Sequence, residues 1–552
     1  MSSRFAIHAA APSSLRRPLL WLTMLLAFTG LALPARAQLD SGSIAGVVTD
    51  PAGKVVEGAH ILATETTTGT TYSAVSSSAG YYVIPSLRTG VYEVKVSGQG
   101  FRTAVYSGVT VSIGVRTAQD AALTVGSATE TVNVNASALA LETQTSEVDD
   151  TISPVQVADL PLQVSGTLRS LSSLEFLVPG AVGPGTSSGG SGFQMAKING
   201  GQEEGTDYLV DGITTNRMEN GSGSFDILAP SIEAVSEFHI DLSGLPANLG
   251  RTTGGLANFN SRSGTNGYHG AIFDFYKNAA FDGNNWFNNG YLAETPESNA
   301  AVRNSLQRPP DTKNDYGASL GGPIRIPHLY DGRSKSFFFF GWEQLHYHTG
   351  SAVTSLIPTP AELGSNGQYF DFTSTLGGVI PGASDACNSV LYYGEIFDPT
   401  TEKTVNGQAC RTPFMVNGQM NEISTSRESQ VAKAVLQFMP KPNLTGGTNN
   451  YVYDTVDQHD ETVYSLRLDQ NLTASHKIWG FYSSRENTDL GNGLNLPAPI
   501  NSAGGGVNNQ LGKLFRLGWD WSMSANLINS LTIGTNRSNN YNLSRAANMN
   551  AN

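Results

Sequence analysis

The sequence predicts an exported, mainly β protein: a signal peptide, a small β-sandwich, a small α/β domain, and then the first strands of a transmembrane β-barrel. Three observations carry that class. The chain opens with a charged, then apolar, then small-residue segment. Its second half contains long strands such as Tyr464-Ser465-Leu466-Arg467-Leu468-Asp469, with one apolar face and one charged face. The connections between those strands alternate between long and short, as they do when periplasmic turns are tight and outer loops are large.

Arg16-Arg17, the run Leu19 to Phe28 and Ala35-Arg36-Ala37 form the three parts of a secretory signal, with cleavage between Ala37 and Gln38. The apolar run is about 15 residues, short of the roughly 20 that a spanning helix needs. No later segment is apolar enough for a membrane helix, so insertion has to use strands, the other backbone arrangement that satisfies itself in lipid. The 33 Lys and Arg against 46 Asp and Glu leave a net charge of −13. That balance, without a basic stripe, excludes a nucleic-acid partner. Sixty glycines and only 14% charged residues also set the chain apart from an ordinary cytosolic enzyme.

Residues 40–125 read as short alternating runs, among them Ile44–Thr49, Ala59–Thr64, Tyr81–Ile84 and Tyr92–Val96. Turns fall at Asp50-Pro51-Ala52-Gly53 and Thr89-Gly90. This spacing predicts an all-β sandwich. The phrases GVVTDPAGKVVEGAHI and SSAGYYVIPSLRTGVYEVKVSGQGF resemble the carboxypeptidase regulatory-like domain, a transthyretin-like sandwich grouped with carbohydrate-binding-like folds. His60 stands alone in it and makes no zinc site. Sugar binding would follow from the fold grouping only.

The stretch Lys197–Asn216, KINGGQEEGTDYLVDGITTN, organises the middle of the chain. Read bare, Ala196–Gly201 and Tyr208–Ile213 form a hairpin-like pair in a small α/β domain, with a turn at Asp211-Gly212. Ile232–Ile240, Leu249–Asn260 and Arg262–Asn266 then follow. That order resembles the plug domain of a TonB-dependent outer-membrane transporter, assigned here to residues 150–263. The resemblance rests on Asn199, Gly200, Asp211, Gly212, Arg251, Gly254 and Gly255. Val155–Leu162 and Leu168–Gly180 have helical periodicity, the second closed by Pro179-Gly180, and predict two short plug helices. Gly185-Thr186-Ser187-Ser188-Gly189 matches G-x-S-x-G but lacks the strand before and helix after that a nucleophile elbow requires.

Residues 126–149 form a linker between sandwich and plug. Within it Glu130-Thr131-Val132-Asn133-Val134-Asn135-Ala136 alternates, which fits a last sandwich strand or an extended connector equally well. It also resembles the TonB box, the segment that the inner-membrane energy transducer takes up as an added strand. Strand addition needs a free backbone edge and little side-chain specificity.

From residue 264 to 552 the barrel begins. Strands are predicted near 268–278, 314–324, 336–347, 462–471, 476–484, 513–522 and 527–537, with boundaries good to about two to four residues. Ala271, Phe273 and Phe275 are expected on the lipid face of the first, with Asp274 opposite. His346-Tyr347-His348 reads as the end of an interfacial girdle, with a metal site as the weaker alternative. Cys387 and Cys410 both lie in the long third connection and are expected to be oxidised in an exported chain. Closing about 22 residues restricts the unfolded loop by about 3 kcal/mol. Gly321–Ile324, Phe337–Glu343, Ile396–Pro399 and Phe438–Asn443 resemble the Oar-like branch of the transporter family.

The resemblance implies a receptor in the outer membrane of a Gram-negative bacterium, its N-terminal domain in the periplasm. Its partners would be membrane lipid, a TonB-type transducer and a bulky extracellular substrate. It implies no catalysis, cofactor or metal. The alternative is a surface or periplasmic carbohydrate-binding or adhesion β-protein in which the sandwich does the work. About seven membrane strands, where plugged transporters have about 22, predict a fragment of a longer barrel.

Overall fold

The computed structural model describes residues 42–544 except 113, 127–130, 136–147, 153–155, 158–168, 170, 184–195, 203–204, 217–224, 244, 246–249, 251, 295–302, 305, 309, 445–448, 474, 491–505 and 525–526. Three bodies follow one another along the chain. The first is a sandwich of β1 (Gly42–Thr49), β2 (His60–Glu65), β3 (Thr71–Val75), β4 (Tyr81–Leu87), β5 (Gly90–Ser97), β6 (Thr103–Val111), β7 (Arg116–Ala118), β8 (Ala121–Ala122) and β9 (Thr131–Asn135). One sheet runs β4-β1-β7 with β8 also on β1; the other runs β3-β2-β5-β6-β9. Period-two alternation turns Ile44, Ile61, Ala63, Val94 and Val96 between the sheets, where they form a core with Tyr82 and Tyr92. The 50–53 turn is fixed by Asp50, whose Oδ1 accepts from the amides of Ala52 and Lys54 at 2.9 Å each. Gly53 supplies φ +78°.

The sandwich extends past its expected end. β9 lies parallel to β6, with Thr103 opposite Thr131 and Ser107 opposite Asn135. Part of the expected 126–149 linker is therefore an edge strand. Its backbone finds hydrogen-bond partners that a free connector would leave to water.

The second body, an inner domain, contains β10 (Val148–Ile152), β11 (Ala181–Val182), β12 (Lys197–Ile198), β13 (Asp207–Val210), β14 (Ile213–Thr214), β15 (Val235–Ser243) and β16 (Leu256–Ser261). Its main sheet has the order β10-β15-β16-β13-β14, with only β13 and β16 parallel. The hairpin-like pairing of 196–201 with 208–213 does not form. β12 pairs with β11, while β13 turns back on β14 and lies beside β16. Each of the two glycine turns closes its own segment, so they cannot join one another. The second expected helix is a 3-10 helix, Leu171–Leu177, followed by Gly180 at φ +88°. Of the first, only residues 156–157 are described, and they are helical; the G-x-S-x-G stretch lies outside the described residues.

The third body is one antiparallel sheet of seven strands in sequence order. They are β17 (His269–Asn278), β18 (Asp311–Pro323), β21 (Ser336–Ser355), β30 (Tyr451–Asn471), β31 (His476–Leu490), β32 (Gly506–Ser524) and β33 (Leu527–Ser544). The numbers between are short pairs. β19 (Arg325–Ile326) and β20 (Tyr330–Asp331) form a small hairpin below the wall. The third connection holds β22 (Tyr369–Asp371) with β29 (Glu422–Ser424), β23 (Val379–Ser384) with β24 (Val390–Tyr392), β25 (Lys403–Val405) with β26 (Gln408–Cys410), and β27 (Met415–Val416) with β28 (Gln419–Met420). Connections 279–310, 356–450 and 491–505 are long, whereas 324–335, 472–475 and 525–526 are short. The alternation expected from the sequence is thus present.

The faces of this sheet carry the decisive chemistry. Tyr464, Leu466 and Leu468 are 48%, 39% and 46% exposed, while the alternating Ser465, Arg467 and Asp469 are buried. Phe515 and Leu517 are likewise exposed around a fully buried Arg516. At the short-turn end His476, Trp519 and Trp521 stack, with ring centres 5.2 to 6.0 Å apart, as an interfacial girdle would. The first strand reverses its expected faces. Phe273 and Phe275 point inward beneath the Arg169 guanidinium, at 4.2 and 5.1 Å, leaving Ile272 exposed outward. Both rings make cation–π contacts with this buried arginine, and Phe275 stays 39% exposed.

Candidate functional site

The site is the contact between the charged face of the wall and the inner domain. Asp211 and Gly212 adopt φ +50° and +77°, the two left-handed residues of a type I′ turn, and join β13 to β14 in the tightest hairpin available. The Asp211 carboxylate accepts from Ser261: the amide at 2.9 Å and the hydroxyl at 2.9 and 2.8 Å. Two arginines from the wall hold the same turn. Arg467 Nη1 lies 3.4 Å from Asp211 Oδ1 and donates to the Ser261 carbonyl at 3.2 Å, its guanidinium 4.5 Å above the Trp479 ring. Arg516 donates to the carbonyls of Val210 and Ile213 at 3.0 and 3.4 Å. Buried charges are tolerated only when paired and hydrogen-bonded, and here the pairing crosses from wall to domain.

A second clamp sits above the first wall strands. Arg169 reaches Glu343 of β21 at 3.3 Å and Glu233 of the inner domain at 3.4 Å. Beside it Arg485 and Glu461 pair across β30 and β31 at 2.9 Å. Apolar contacts fill the rest: Trp479, Phe481 and Leu514 of the wall belong to the same core as Tyr208, Phe225, Phe238 and Phe259.

The other residues singled out from sequence fall as follows. Asn199 and Gly200 make a second turn with both φ positive, +49° and +79°, and the Asn199 side chain donates to the Leu242 carbonyl at 3.1 Å. At Gly255 a Cβ would come within 2.8 Å of Ile198 and 2.9 Å of the Asp241 carbonyl, so only glycine fits that approach. Gly254 has no comparable crowding. Arg251, Ala37, Gln38, Glu130 and Ala136 lie outside the described residues. Thr131, Val132, Asn133, Val134 and Asn135 are β9, on the sandwich.

Cys387 and Cys410 are joined by a disulfide, with Cα atoms 5.9 Å apart. Asp385 lies beside them, but both sulfurs are spent in the bond and do not ligate as thiolates would. In the same connection Arg427 donates to Asp398 at 2.8 and 2.9 Å and holds that carboxyl below the usual carboxylate range. His346 pairs with Asp460 at 2.8 Å. The residues that sequence reasoning passed over as site members are Arg467, Arg516 and Arg169. The first two were visible only as members of a charged face.

A sheet with apolar side chains turned outward, charged ones turned inward, and a packed domain on its charged face is the wall of a membrane β-barrel. The chain belongs to the outer membrane beta barrel domain family, whose model matches residues 260–552, and it resides in the outer membrane of a Gram-negative bacterium. Residues 43–124 match the carboxypeptidase regulatory-like domain. The TonB-dependent transporter Oar of Myxococcus xanthus is 31% identical over 179 residues, which are 32% of this chain and 14% of that protein. The siderophore receptor PirA of Acinetobacter baumannii aligns at 13% identity and TM-score 0.38, over 71% of this chain and 40% of its own. A mutant of the ferric enterobactin receptor PfeA of Pseudomonas aeruginosa aligns at 11% and 0.36, over 72% and 41%. The chain thus spans about two-fifths of those receptors.

Proposed function

We propose that this chain is the receptor end of a TonB-dependent transporter that takes up a bulky substrate through the outer membrane. The inner domain acts as the plug. The single observation that supports this is the pair of arginine clamps, Arg467 and Arg516, closed on the Asp211-Gly212 turn. A purely structural interior would be apolar, since replacing buried ion pairs by packed hydrophobic residues is often neutral or stabilising. The clamps hold the turn by directional polar contacts beside the apolar core that wall and domain share. Substrate enters from the long-loop side, and an inner-membrane transducer, driven by the proton gradient, engages Glu130–Ala136 by strand addition. The reading involves no enzyme activity or cofactor.

The test is transducer binding by the full-length protein. A Val132→Pro variant removes a backbone donor in the middle of the segment and is expected to lose capture by the periplasmic domain of the host's TonB-type protein, while export and membrane insertion persist. Undiminished capture would return residues 130–136 to the role of a sandwich strand alone.

A further inference from the structure

We propose that the sandwich is a latch: docked at the short-turn end of the wall, it completes through Arg88 an ion chain that holds the inner domain in place, and its release loosens that domain. The proposal rests on reading the inner domain as a movable plug. Arg88 follows β4 and places Nη1 2.9 Å from Oδ1 of Asp469, whose side chain is fully buried in the wall. Asp469 also accepts from Arg467 Nε and Nη2 at 3.2 Å each and from the Ser263 hydroxyl at 2.7 Å. Arg467 in turn meets Asp211 of the inner domain. Four charges from three bodies therefore alternate in sign, Arg88, Asp469, Arg467, Asp211, and sum to zero. Without Arg88 the chain carries a net negative charge in a buried site. Asp469 then shares Arg467 with Asp211, whose turn Arg516 reaches only through the carbonyls of Val210 and Ile213.

The docking contacts are of a kind that can separate. The Asn266 amide and side chain donate to the carbonyls of Thr67 and Thr68 at 3.1 and 2.8 Å. Asn471 donates to the Thr70 hydroxyl at 3.3 Å, and Lys477 Nζ lies 3.2 Å from the centre of the Tyr72 ring. Among the described residues, the sandwich core contains no residue of the wall or of the inner domain, whereas the wall and inner domain share a core. A cavity of about 400 Å³, lined in part by Tyr72, Arg88, Asp211, Arg467 and Asp520, remains at the junction. A permanently fused interface would be packed to interior density. Polar interfaces between domains favour relative motion.

The experiment is hydrogen exchange on the full-length protein in outer-membrane vesicles, comparing wild type with Arg88→Gln and Arg88→Lys. In R88Q, exchange is expected to rise at least about tenfold at residues 66–70. It should rise in the same experiment at 207–214 and 256–261, around Asp211 and Ser261. Protection of β2 and β5 should stay at the wild-type level, which shows that the sandwich remains folded, and R88K should keep most of the docked pattern. A Thr70→Cys/Asn471→Cys pair joined by a short bis-maleimide should suppress the change in R88Q. Undocking at 66–70 with 207–214 and 256–261 unaltered would overturn the latch, as would R88Q exchange identical to wild type throughout. Either result leaves transducer capture through residue 132 untouched, so failure here is separate from failure of the transporter reading.

Discussion

The sandwich and the barrel wall are written in the same period-two pattern and bury opposite halves of it. In β2, Ile61 and Ala63 are buried and Leu62 between them is 39% exposed. In β30, Arg467 and Asp469 are buried and Leu466 is also 39% exposed. Alternation therefore specifies a strand and its two faces, but not which face meets solvent or what the solvent is. The distinction lies in what each face contains. The sandwich hides its apolar face because water is outside, whereas the wall shows its apolar face because lipid is.

The sharpest way to break the comparison is to remove the charge from the inward face. Arg467→Leu leaves Asp211 without its arginine and Asp469 with Arg88 alone, and is expected to cost about 3–5 kcal/mol, the usual penalty for breaking a buried pair from one side. Urea titration of the membrane-inserted protein, followed by heat-modifiable migration, measures it. A loss under about 1 kcal/mol would mean that water reaches the clamp and the face is not a dry interface.

Two leucines of equal exposure then sharpen the contrast. Leu466→Arg places a cation against lipid and should destabilise by about 2–4 kcal/mol if near the bilayer centre. Leu62→Arg, facing water, should stay within about 0.5 kcal/mol. Similar costs at both positions would contradict a lipid-facing wall.

Local pattern made most of this architecture legible. The strands, the alternation of connection lengths and the Asp211-Gly212 turn depend on neighbours within a few positions. What the sequence did not disclose are pairings across distance. Asp211 meets an arginine 256 positions away, and Val210 accepts from another 306 away. Phe273 and Phe275 lie beneath Arg169, a partner no local window contains. β9 was equally consistent with a connector, because a parallel edge strand has no local turn to announce it.

The last expected effect concerns a buried carboxyl that the wall does not clamp. Glu175 lies fully buried in the inner domain, where burial raises its carboxyl to about 8 against weaker opposing pulls from the Tyr208 hydroxyl and the Ala196 amide. The folded protein then holds a proton that the unfolded chain has released above its own pKa of about 4.3. Between those values the native state binds more protons, so stability falls as pH rises, by about 1.4 kcal/mol per pH unit at most. The contribution is complete below about pH 4.3 and lost by about pH 8. Glu175→Gln keeps the shape and cannot ionise. Its urea midpoint should change less than that of wild type between pH 5 and pH 8. Parallel pH slopes for the two proteins would mean that Glu175 is ionised in the folded state and is paired as firmly as the aspartates of the wall.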